Sequence, residues 1–108
     1  MVEIADMLSP PYYAIIFTSR RTAHDDGYEA MAIRMVDLAT RQPGFLGWKS
    51  VREAHLGITV SYWPTEEDIQ RWKQVAEHRT AQSLGKERWY ASYRVRVCRV
   101  EREYGFER

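Results

Sequence analysis

Apolar and polar positions change rhythm along the chain, and each change marks an element. Tyr12–Arg20 is rich in aromatic and β-branched residues, closed by Pro10-Pro11 before and Arg21-Thr22 after. That composition predicts a strand apolar on both faces. A helical spacing follows: Tyr28, Met31, Ala32, Met35, Leu38 and Ala39 make one stripe, and Pro43-Gly44 stops it. Asp26 with Glu29 has the form of a capping box at its start. Phe45–Glu53 returns to strand spacing, with Leu46, Trp48, Ser50 and Arg52 on one side. Leu56–Trp63 is a third strand, close enough to form a hairpin, and Gly57 suggests the turn.

Pro64-Thr65 breaks that strand. Thr65 with Asp68 forms an acidic variant of the capping box, and Ile69, Trp72 and Ala76 give the next helix its apolar face. This helix is expected to run to Leu84, with a break near His78 and Gly85 as its C-terminal cap. Trp89–Val100 is the last strand, carrying Tyr93, Val95 and Val97 on one side and Arg94 and Arg96 on the other.

The predicted order β-α-β-β-α-β is the ferredoxin-like α+β arrangement, an antiparallel four-stranded sheet with both helices on one face. Residues 1–11 read as an arm, 12–104 as the domain and 105–108 as a tail. The helix-free face needs water or a partner. Because the first strand is apolar on both sides, a second copy of the chain is the expected cover, most simply as a twofold homodimer. If the apolar set of the third strand faces the helices, Ser61 and Trp63 face that partner.

Composition sharpens this picture. The 108 residues suffice for one domain that buries roughly two-thirds of its surface. Four Trp, seven Tyr and three Phe are a heavy aromatic load, so rings must line a core, an interface or a pocket. A net charge of +1 gives no field that would favour nucleic acid. The longest apolar run is too short to cross a membrane, and the N-terminal stretch lacks the apolar segment of a secretion signal. A soluble, cytoplasmic protein is expected. The lone Cys98 reads as a small apolar filler or a partly exposed thiol. No cluster has metal-ligand spacing, and no phosphate or dinucleotide loop occurs, so no metal and no cofactor are expected.

The stretches Gln42-Pro43-Gly44-Phe45-Leu46-Gly47 and Gly57-Ile58-Thr59-Val60-Ser61-Tyr62-Trp63, with Trp72, His78, Ala81-Gln82 and Trp89-Tyr90, resemble the antibiotic biosynthesis monooxygenase domain, within it a group of small bacterial proteins of poorly defined function. The resemblance implies a dimeric α+β barrel in which two such sheets pack face to face. It also implies a substrate pocket between helices and sheet. Some members of that family oxidise polycyclic phenols with O₂ and neither metal nor flavin; others bind and degrade haem. Fold and family alone do not select among these reactions.

On that resemblance, His78 is the candidate general base, with Trp72, Tyr13, Tyr93 and Trp89 shaping the site of a small aromatic or quinonoid substrate. Each also has a plainer role: Trp72 as core, Tyr13 and Tyr93 as buried tyrosines with backbone partners, and His78 as a helix-break residue bonded to a carbonyl. The haem-degrading members' axial histidine aligns with Gln82, a poor haem ligand, and their first-strand asparagine has no match among Phe17, Thr18 and Ser19. A non-catalytic haem- or small-molecule-binding dimer, or a stress-related dimer, is the alternative. His24, His55, Arg20 and Arg21 read as surface residues. Arg94, Arg96, Arg99 and Arg102, with Glu101 and Glu103, read as a solvated strand end.

Overall fold

The computed structural model describes residues 8–24, 26–78 and 88–108, with the side chains of Glu77 and His78 outside that set. Its elements are β1 (Tyr12–Arg21), α1 (Tyr28–Thr40), β2 (Gly47–Glu53), β3 (Leu56–Trp63), α2 (Glu66–His78) and β4 (Tyr90–Val100). All neighbouring strands pair antiparallel in the order β2-β3-β1-β4, so the fold is the ferredoxin-like α+β arrangement that the spacing predicts. The continuation of α2 to Leu84 and the Gly85 cap lie outside the described residues.

Register assigns the faces. Tyr13 pairs with Trp63 and Arg99, and Thr59 pairs with Phe17 and Ser50. One face therefore carries Tyr13, Ile15, Phe17 and Ser19 of β1. Gly57, Thr59, Ser61 and Trp63 of β3 lie beside them, with Trp48, Ser50 and Arg52 of β2 and Tyr93, Val95 and Val97 of β4. This is the helix face: Trp63 stacks on Trp72 of α2 at 6.1 Å, and Arg52 bonds Tyr28 of α1. The expectation that Ser61 and Trp63 face a second copy is overturned. Trp63 is fully buried under α2, edge-on to Phe45, and its indole N–H donates to Ser61 Oγ at 2.9 Å. The apolar set Ile58, Val60 and Tyr62 faces away from the helices instead.

Local chemistry accounts for the ends of the elements. Thr65 Oγ1 accepts the Asp68 N–H at 3.1 Å and donates to Asp68 Oδ2 at 2.8 Å, which starts α2 as its sequence suggests. Gly44, at φ 85°, lies against the same carboxylate: a Cβ there would stand 2.6 Å from Asp68 Cγ. The Pro-Gly-Phe turn thus ends α1, packs on the start of α2 and sends the Phe45 ring onto Trp63. β2 consequently starts at Gly47, two residues later than its spacing suggests.

Two expectations fail at other ends. The N-cap of α1 is Gly27 at φ 83°, with no side-chain cap bond, so Asp26 and Glu29 form no capping box. The hairpin turns at Ala54 and His55, and Gly57 lies inside β3. Beyond β4, Glu103 accepts the Leu8 N–H at 3.0 Å and a bond from Tyr12. Burial first, and then that carboxylate, push the Tyr12 hydroxyl up to about 12.

Candidate functional site

The space between the layers is loosely filled. No residue of α1 is buried, and its apolar stripe is only half covered. Val95 and Val97 of the edge strand β4 remain 48% and 49% exposed although they point to the helix side. On the far side of β1 from them the sheet offers hydroxyls: Ser50 and Thr59 bond each other across β2 and β3 at 2.8 Å, and Ser61 lies next along. Half-apolar, half-hydroxyl surface of this kind suits a flat ligand with one or two polar edges.

Two aromatic groups close the space, one at each end. At the first, Trp72 and Trp63 stack, and Tyr13 lines a shallow cleft of about 280 Å³ with Pro11, Pro64, Thr65, Glu66, Glu67 and Arg99. At the second, Tyr93 lies 5.4 Å from Phe17 and 5.7 Å from Tyr90, while Tyr28 meets the edges of Trp89 and Tyr90 at 5.7 and 6.0 Å. Ser19, the partner of Tyr93, lies six positions along β1 from Tyr13. At about 3.3 Å per residue that is roughly 20 Å, too far for Tyr13 and Tyr93 to reach one small phenol.

Trp89 is 4% exposed, and its indole N–H donates to the Asp26 carbonyl at 3.1 Å, so it forms a wall. His78 ends α2, and its side chain is outside the described residues. His24 and His55 are exposed, as expected. Among the described residues no group of His, Cys, Asp and Glu could hold a metal ion.

Two arginines beside the second group escape sequence reasoning, and the spacing misplaces the face of Tyr90, which is expected with Trp89 at a sheet edge or pocket mouth. Tyr90 lies three positions before Tyr93, an odd separation that strand alternation places on the opposite face. A register shift between Arg20 and Arg21 pairs Arg21 with Tyr90 while Arg20 pairs with Ser92. The extra residue, Ala91, turns Tyr90 to the helix side. Burial, then the neighbouring Tyr28 hydroxyl, raise the Tyr90 hydroxyl above the usual tyrosine range.

Arg21, expected at the surface, is half-buried: its guanidinium carbon lies 3.6 Å from the centre of the Tyr28 ring. Arg52 donates to the Tyr28 hydroxyl at 3.0 Å and to the buried Ser19 Oγ at 3.1 Å. A strand-end arginine carries no sequence mark for this. The only available hint was Gly57, opposite Arg52 in the ladder, where a side chain would collide with the guanidinium.

Comparison with known proteins sets this geometry in context. No protein-family model matches the chain. It is 52% identical over 99 residues to YqjZ, an uncharacterised protein of Bacillus subtilis strain 168, covering 91% of this chain and 87% of that one. The chain belongs to the YqjZ family. Its fold is that of the antibiotic biosynthesis monooxygenases and their ferredoxin-like neighbours.

A variant of SnoaB, a cofactor-independent oxygenase from Streptomyces nogalater, matches with a TM-score of 0.72, 11% identity and coverage of 86% of this chain and 96% of that one. A dimeric ferredoxin-like protein of unknown function from Thermobifida fusca matches at 0.67, with 11% identity, over 91% of this chain and all of that one. A protein from Chloroflexus aurantiacus assigned as an antibiotic biosynthesis monooxygenase matches at 0.58, with 14% identity, over 87% and 97%. Among the described residues of this YqjZ-family chain, no helix is long and apolar enough to cross a membrane.

Proposed function

We propose that this chain is a cofactor-independent, monooxygenase-like enzyme acting on a small aromatic or quinonoid compound. The observation that carries the reading is the half-open space between sheet and helices, lined by rings and hydroxyls, in a fold shared with a cofactor-independent oxygenase. An electron-rich phenolate can pass an electron to O₂ directly, so the protein need only bind, orient and deprotonate it. In the net reaction one oxygen atom enters the ring as a carbonyl and the other leaves as water.

The residues divide that work by position. Phe17 and Tyr93 offer a stacking wall to a flat ring. Tyr90 can donate to a phenolate or quinone oxygen. His78, at the end of α2, is the proposed base, and Trp72 with Tyr13 bounds the far end of the space. The reading also includes a homodimer through the helix-free sheet face, where Val51, Leu56 and Ile58 are exposed.

Oxygen uptake and quinone absorbance, followed with naphthols and hydroxyanthracenes, test the activity. Turnover above the buffer rate, reduced at least tenfold in His78→Ala and about fivefold in Tyr90→Phe, is expected. Rates equal to buffer across the panel would remove the reading. A stoichiometric haemin Soret shift lost in His78→Ala would replace it with haem binding.

A further inference from the structure

Arg21 and Arg52 approach Tyr28 from β1 and β2, and among the described residues neither guanidinium is paired with a carboxylate. Among the described residues their donors are largely unspent. Arg52 uses only Nη2, on Ser19 and Tyr28, and Arg21 Nη2 reaches the His24 carbonyl at a long 3.4 Å. Arg21 Nε is fully buried and has no hydrogen-bond partner among the described residues, an arrangement that ordinarily costs stability. The pair is also held in place. Ser19 is 2% exposed, and the Arg52 guanidinium lies flat over Gly57, so close that a Cβ would stand 2.7 Å from its Cζ. Two guanidinium groups without a carboxylate partner among the described residues thus lie beside a cluster of aromatic rings.

We propose that this end of the site binds an aromatic acid. Its planar carboxylate lies against Arg21 and Arg52, and its ring stacks in the Phe17–Tyr90–Tyr93 cluster. Guanidinium donors match a carboxylate two at a time, and Tyr28 joins the two arginines into one surface. The assignment rests on the reading of the interlayer space as an aromatic pocket, and it adds the charge that the ligand carries.

Calorimetric titration with 2-naphthoate, its neutral isostere 2-naphthamide and inorganic phosphate tests it. The expected result is at least tenfold tighter binding of the acid than of the amide, with Arg52→Gln abolishing the preference while amide affinity stays within twofold. Arg52→Lys keeps the charge and should retain part of the preference. Should circular dichroism show Arg52→Gln unfolded, Arg21→Gln carries the same comparison, with at least a fivefold loss for the acid alone. Equal affinity for acid and amide in the native protein overturns the anion site and leaves the aromatic pocket standing. Phosphate displacing the acid at similar concentration, or no binding of either probe, also overturns it. Arginine-dependent acid binding without oxygen uptake supports the anion site and counts against the oxygenase reading alone.

Discussion

A methyl group on residue 57 would stand 2.7 Å from Arg52 Cζ and 3.1 Å from Nε, so Gly57→Ala must displace the guanidinium. The long arginine can swing aside, and the backbone there needs no unusual conformation. The loss then falls on the bonds to Ser19 and Tyr28, about 1 kcal/mol each. Urea denaturation of Gly57→Ala should show a decrease of about 1–2 kcal/mol with the sheet signal intact; an unchanged midpoint would mean those bonds contribute nothing. At this scale the sequence was least informative. Ring and spacing singled out Tyr93 and Trp72 as candidates. Nothing marked Arg21 and Arg52, because arginine at a strand end is ordinary, and the seat of the Arg52 guanidinium depends on Gly57 having no side chain.

Single elements were easier to foresee wherever local chemistry acts alone. Thr65 and Asp68 cap α2 because the bonds span one turn and need nothing distant. Thr65→Ala should lose about 1 kcal/mol, and thermal unfolding should fall by roughly 4–8 °C for a domain of this size. A shift under 1 °C would show that the Asp68–Arg71 pair at 3.1 Å holds the helix start without the hydroxyl. At α1 the local pattern misled: Asp26 and Glu29 have the capping spacing, yet the chain enters through Gly27 in a left-handed turn. Tertiary contacts decided that entry. The Trp89 indole takes the Asp26 carbonyl, and Arg88 approaches the Asp26 carboxylate at 3.7 Å. The shift at Arg21 belongs to the same class, since alternation cannot announce where one strand carries an extra residue.

Over the whole molecule, the order of elements and the sheet topology were legible because spacing alternates so clearly between strand and helix. Which face of β3 met the helices was not, for β3 is apolar on one side and carries Trp63 on the other. The stacking of Trp63 on Trp72, flanked by Phe45, settled the orientation. Its result is an outward face bearing Val51, Leu56 and Ile58, whose cover we read as a second copy. Sedimentation at micromolar concentration should give a dimer, and Ile58→Lys, which places a charge amid that surface, should give a monomer with unchanged circular dichroism. A monomeric native protein would sink the dimer.

The sheet and α1 are held to different degrees. β1, paired on both sides, opens only when the domain unfolds, whereas α1 has no buried residue to hold it down. Detaching α1 exposes little new apolar surface, so its local opening lies far below the global free energy. Its amide protons should therefore trade with solvent well ahead of those of β1, and the roof of the interlayer space can lift many times while the floor stays intact.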